Sequence, residues 1–254
     1  LQEMHPFTPT HYREILTAAL KSGYSFRLFG EPAEDLTVYL RHDVDNSIAD
    51  ALAMAKSEQS LGVRSTYLFL MRSRNYNVLS GQSIAQIRDM AAMGHDIGLH
   101  HSCETGETLA NGQSLAARIR ADAALMSEQI DIPVGRFSLH NPAESDNFKL
   151  DVPGLINTYS APYFKNIKYI SESNFKWREG CPCAMFRERR HNVMQVLVHP
   201  MSYVADLSGD RDALLYFLRQ KVCVLSKVNQ EQNRTLRAEP VTMDEIADYL
   251  KAHP

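Results

Sequence analysis

The chain of 254 residues is 44% hydrophobic, enough to bury a full core, and its length suits one α/β barrel as readily as two smaller domains. A net charge of −3 with both signs scattered leaves no basic footprint for nucleic acid, and no apolar run approaches the ~18 residues that span a bilayer. Four cysteines at uneven spacing make no disulfide framework and favour a reducing compartment. The start, LQEMHPFTPTHYREIL, has no secretory pattern, so the expected location is the cytoplasm, or the periplasm if a leader has been removed.

Thr10 begins a capped amphipathic helix that ends at Gly23, buries Leu16, Ala19 and Leu20, and is expected to close one end of the fold. Leu36 to Asp45, LTVYLRHDVD, is a strand whose alternation sets Tyr39, Arg41, Asp43 and Asp45 on one face and Val38, Leu40, His42 and Val44 on the other. Two carboxylates at a strand's end need a metal, a cation or hydrogen-bond donors, because burying each one alone costs several kcal/mol. The plainer alternative is a helix cap and a salt bridge to Arg41. Ser47 starts a helix to about Gly62, and Arg64 to Met71 is the next strand. A helix from Ser80 to Met93, a strand from His95 to His100, a helix from Leu109 to Ile130 and a strand from Arg136 to His140 continue the alternation. Such repeats imply parallel strands with crossover helices, hence a barrel or a doubly wound sheet.

Beyond Pro142 the spacing predicts short strands at Ile156 to Ser160 and Lys168 to Ser171 among loops rich in Asn, Pro and Ser. A strand from Val193 to His199, a helix from Asp210 to Val228 and a capped helix in TMDEIADYLKAH complete the chain. No repeat or linker interrupts it, so a single domain over residues 1–254 is expected. Cys181-Pro182-Cys183 reads as an ordinary loop, since thiolate zinc sites usually need two such pairs. His5, His11, His191 and His253 sit in surface-like contexts, Arg187 to Arg190 is a solvated charge run, and the outward parity of His42 and His95 makes them packed core histidines.

Four strands end in acid or imidazole: Asp43 and Asp45, then His100, His140 and His199. Parallel barrel strands bring such ends to one mouth. Face parity agrees, setting Gly98 with His100, Ser138 with His140 and Gln195 with His199, while Ile97, Leu99, Phe137, Leu139, Val196 and Val198 pack outward. In order and spacing, RHDVD, GHDIGLHH, FSLHNP and VLVHP resemble the polysaccharide deacetylase (NodB-homology) superfamily, particularly its HDVD-bearing branch. The likeness covers about residues 35–200, including the YISES loop that leads to Trp177. The resemblance implies an irregular (β/α)7 barrel, one divalent metal, most commonly zinc with cobalt, nickel, manganese or iron as alternatives, and hydrolysis of an N-acetyl group on a sugar.

It further implies Asp43 as general base, Asp45 as metal ligand, His100 as first histidine ligand and His199 as general acid. Members of the family usually carry a second histidine ligand four residues after the first, where this chain has Glu104, and their Arg-Pro-Pro run is replaced here by Ser138-Leu139-His140-Asn141-Pro142. The third ligand is therefore expected to be His140, then Glu104, with His101 last. Trp177 and Tyr159 fall in loops that should wall the mouth, where aromatic faces stack on sugars, and Asn141 and Arg136 are assigned with them to substrate. Arg136 is also placed to hold the Asp43 carboxylate. The expected activity is sugar N-deacetylation in surface-polysaccharide metabolism of the O-antigen or capsule type. The missing second histidine motivates an inactive carbohydrate-binding barrel as the alternative, and a non-sugar amide is a further candidate substrate.

Overall fold

The computed structural model describes residues 7–102, 114–140 and 149–253. Two compact units make it up, Leu1–Leu207 and Ser208–Pro254.

The first unit is built on parallel strands: β1 (Ser25–Arg27), β2 (Thr37–Val44), β3 (Thr66–Leu70), β4 (Asp96–His101), β5 (Arg136–Leu139), β6 (Ile156–Asn157), β7 (Lys168–Ser171) and β8 (Val193–Val198). Their order is β6-β5-β4-β3-β2-β8-β7, with β1 on the lower half of the β2 edge whose upper half pairs with β3. The crossovers carry α2 (Ile48–Gln59), α3 (Gly81–Ala92) and α4 (Leu115–Ile130), each entered through a serine whose hydroxyl accepts a backbone N–H: Ser47, Ser80 and Ser114.

Contacts through the interior show that this sheet curls into an irregular (β/α)7 barrel. Along the sheet β5, β4 and β3 separate β6 from β2, yet Arg41 on β2 donates to the Tyr159 hydroxyl just after β6 at 3.0 Å and lies over that ring. Gln195 on β8 likewise donates to the Thr158 carbonyl at 3.0 Å. The interior is thus filled with polar side chains up to its mouth. Gly98 belongs to the same packing, for a Cβ there would lie 2.2 Å from Leu68 and 2.8 Å from the Arg136 carbonyl.

Outward residues follow the expected alternation. Ile97, Leu99, Phe137 and Leu139 join Ala51, Ile87, Ile119 and Met126 in one apolar cluster under α2, α3 and α4. Val38, Leu40, Val196 and Val198 join a second with α1 (Pro9–Lys21) and α6 (Pro182–Arg187). α1 begins earlier than expected, because Thr8 caps it and Pro9 fills its first turn, and it takes the place of a flanking helix against α2 and α6 instead of closing an end. Leu16 and Ala19 are buried as expected, but Leu20 is exposed. The Cys-Pro-Cys stretch forms the start of α6, where Pro182 stands at the first helical position.

His42 and His95 are buried outside the barrel wall, as their parity requires. The His42 Nε2 meets Glu58 Oε1 at 2.7 Å, and Ser65 and Tyr67 donate to Oε2 at 2.6 and 3.0 Å. Tyr12 donates to Oε1 as well, which ties α1, α2 and the sheet through one buried carboxylate.

The second unit contains α7 (Asp210–Gln232), α8 (Arg234–Ala238) and α9 (Met243–Ala252). α7 outruns its expected end at Val228, and α9 opens on a Thr242–Glu245 capping box. No helix among the described residues is long and apolar enough to cross a membrane.

Candidate functional site

Asp43 and Asp45 leave the C-terminal end of β2 on one side, and the structure gives them different partners. Arg41, two residues back on the same face, grips Asp43 from Nε to Oδ1 at 2.8 Å and from Nη2 to Oδ2 at 2.6 Å. Burial pushes the Asp43 pKa up, but the Arg41 guanidinium and then His100 outweigh it and keep the group below the usual carboxylate range. Asp45, one residue past the strand, has no such partner. Its backbone carbonyl accepts from Asn75 at 3.1 Å, and that of Val44 accepts from Tyr76 at 2.6 Å, so the turn is fixed while the carboxylate stays available.

The end of β4 supplies His100, and the residue after β5 supplies His140. His100 Nε2 is 3.3 Å from Asp45 Oδ1, His140 Nδ1 is 3.5 Å from the same oxygen, and the two nitrogens are 3.2 Å apart. That oxygen is buried with no hydrogen-bond partner, which is costly unless something positive fills the space between the three atoms. Ligands about 2.0–2.1 Å from a tetrahedral zinc ion stand about 3.3 Å from one another. The triangle therefore has the size and donor set of one face of such a site. The far nitrogen of His100 meets Ser138 Oγ at 2.5 Å, and that hydroxyl reaches Asp43 at 3.4 Å, so the ring is oriented from behind.

His199 follows β8 and brings Nε2 to 3.9 Å from Asp45 Oδ2. Its other nitrogen faces Glu172, 3.1 Å from the carbonyl and 3.3 Å from the carboxylate. Burial pulls the His199 pKa down, but the hydrogen bond and charge of Glu172, then Asp45 and Asp43, push it up to about 9. The Asp45 carboxyl, by contrast, is depressed: burial acts against this, and His100 and His140 overcome it. From floor to mouth, side-chain exposure rises from 3% at Asp43 to 21% at Asp45, 26% at His199 and 34% at His140. Among the described residues, exposure of the site increases toward the C-terminal end of the strands.

Other expected site residues lie elsewhere. His101 faces outward, 3.5 Å from Asp122 on α4. Arg136 is the first residue of β5, at the opposite end of the barrel, where it donates to the Phe29 carbonyl at 2.8 Å and pairs with Asp96 at 3.2 Å. It does not reach Asp43, whose cation is Arg41. Trp177 is buried in the cluster beside α6 and donates to the Tyr203 hydroxyl at 2.9 Å. Tyr159 is buried at the site's floor against Arg41. Glu104 and Asn141 lie outside the described residues. Glu172 escaped the sequence reasoning, though the β7–β8 register that sets Ser171 beside Leu197 carries it next to His199.

No family model and no curated protein sequence matches the chain. Among solved structures it is similar to a peptidoglycan deacetylase of Bdellovibrio bacteriovorus, at 18% identity and a TM-score of 0.43 over 78% of this chain and 52% of that one. A polysaccharide deacetylase of Bacillus cereus is similar at 13% identity and a TM-score of 0.41, over 72% and 87% of the two chains. A Streptococcus pyogenes deacetylase in complex with acetate is similar at 11% identity and a TM-score of 0.39, over 76% and 84%. All three neighbours are deacetylases.

Proposed function

We propose that the chain is a metal-dependent hydrolase that removes an N-acetyl group from a sugar of a surface polysaccharide, of the O-antigen or capsule type. One observation carries the chemistry: the unpartnered Asp45 Oδ1 converges with His100 Nε2 and His140 Nδ1 beside a second acid, Asp43, and a histidine, His199. The sugar substrate rests on the motifs RHDVD, GHDIGLHH and VLVHP and their resemblance to the deacetylases.

Asp45, His100 and His140 would hold a divalent ion, and their oxygen-and-nitrogen donor set suits zinc, with cobalt, nickel, manganese and iron also accepted. When bound, the ion supplies polarisation of the acetyl carbonyl and acidification of water. Asp43, kept ionised by Arg41, accepts the proton of the attacking water. His199, kept protonated by Glu172, donates from Nε2 to the departing amine, which is a poor leaving group without that proton. The products are acetate and a free amino sugar. Arg41, Gln195 and Tyr159 fill the interior below, so the sugar approaches from the mouth alone.

The test separates the two acids. Asp45→Ala should lose both the ion and acetate release, whereas Asp43→Asn should lose release by about 10²-fold or more and keep the ion. Metal analysis of the purified variants, alongside acetate assays on N-acetylated glycans, reads both. Equal loss of metal from the two variants would make Asp43 a ligand and overturn the division of roles. A wild-type chain that binds no divalent ion would overturn the hydrolase.

A further inference from the structure

We infer that His11, Cys181 and Cys183 form a second metal site, which takes a borderline-soft ion of the zinc class on the outside of the barrel. It is independent of the proposed activity and of the residues at the mouth. His11 stands near the start of α1, Cys181 caps α6 and Cys183 is the second residue of that helix. The three ligating atoms lie within 4.8 Å of one another, and His11 Nε2 is 3.3 Å from Cys181 Sγ. A tetrahedral zinc ion about 2.3 Å from sulfur and 2.0–2.1 Å from nitrogen has sulfur–nitrogen edges of about 3.6 Å and sulfur–sulfur edges of about 3.8 Å. The His11–Cys181 edge of the cluster, at 3.3 Å, is close to the sulfur–nitrogen edge of that polyhedron.

Three further observations agree. Glu14 Oε2 accepts from His11 Nδ1 at 3.0 Å, which fixes the tautomer whose Nε2 lone pair faces the sulfurs; a carboxylate behind a ligating histidine does this at metal sites. The intervening Pro182 at the first helical position pins the turn, and the Cys183 amide donates to Cys181 Sγ at 3.4 Å, so the Cys181 sulfur is held by backbone geometry. Finally, His11, Cys181 and Cys183 are all buried, at 4%, 9% and 3% exposure, against Tyr12, Met185 and Phe186. A surface histidine and two idle thiols would not need this arrangement. Bound there, an ion would staple α1 to a helix 170 residues further along the chain.

Cobalt distinguishes this site from the one at the mouth, because only a thiolate site gives intense sulfur-to-cobalt charge-transfer absorption in the near ultraviolet. The full chain, stripped of metal and kept reduced, should develop that band on adding cobalt(II). Cys181→Ser combined with Cys183→Ser should abolish it and lower binding by one ion per chain. Zinc(II) added to the stripped wild type should slow alkylation of two of the four cysteines by about tenfold or more. The alkylation assay uses no variant, so it decides the question even if the double variant does not fold. No charge-transfer band in the wild type, a band that survives in the double variant, or thiols that react equally fast with and without zinc would each overturn the site.

Discussion

At the scale of single residues, the two acids of the pair have different surroundings. Arg41 makes the salt bridge, but to Asp43 alone, and the bridge keeps a buried carboxylate charged and able to accept a proton. Asp45 is left with the orphaned oxygen that faces two imidazoles. Residue types and strand parity were enough to bring Asp43, Asp45, His100 and His140 together, because each stands at or just past a strand end. Glu172 was not legible, since its link to His199 depends on the register of a four-residue strand among loops. The acid role given to His199 has a chemical test. His199→Ala should slow amide deacetylation by about 10²- to 10⁴-fold, yet cost far less on an activated aryl acetate whose phenolate leaves unprotonated. Steady-state rates on the two substrates measure the difference, and equal losses would show that His199 positions the substrate instead.

Elements are held in place by two buried acids on the outer face of the sheet. Glu58 of α2 collects hydrogen bonds from His42, Tyr12, Ser65 and Tyr67, so removing it leaves several polar groups stranded in a dry layer. Glu58→Ala should cost about 3 kcal/mol or more and lower the Tm by roughly 10 °C, which thermal unfolding followed by circular dichroism will read. Asp122 fastens α4 to Arg72, with Nη2 at 2.7 Å from Oδ1, and to His101. Burial raises its pKa, but His101 and Arg72 overcome this and hold it at about 2. A depressed carboxyl stabilises the fold above its unfolded pKa of ~3.9 and stops doing so as the pH falls through the folded value. Because Arg72 is half exposed, the contribution is roughly 1 kcal/mol. Asp122→Asn should therefore be less stable than wild type at pH 7, with the gap closing between about pH 4 and pH 2 in urea titrations. The helix caps behind these contacts could be read directly from Ser47 and Ser80, because a cap is local in sequence. His11 could not, since its neighbours in α6 come 170 residues later and a lone histidine in an amphipathic helix looks like surface.

For the whole molecule, strand periodicity and polar strand ends made the parallel barrel legible, whereas the division of the chain into two units left no mark in composition. No linker rich in glycine or proline precedes Ser208, and α7 continues the amphipathic pattern of the crossover helices. The distinction is physical. The apolar clusters of the barrel extend no further than Tyr203, and Asp43, Asp45, His100, His140 and His199 all precede Leu207. Within the second unit, Leu214, Leu218, Leu225 and Leu250 remain more than two-fifths exposed, so α7 and α9 enclose little core of their own. A barrel whose apolar clusters, buried carboxylates and proposed ligands lie in its first 207 residues should fold without the last helices. Ending the chain after Leu207 should leave the unfolding transition of the barrel cooperative, its Tm within a few degrees of the full chain, and the ion at Asp45, His100 and His140 still bound. Calorimetry with metal analysis of the two lengths measures this, and loss of the ion together with cooperativity would show that the helices beyond Ser208 complete the barrel.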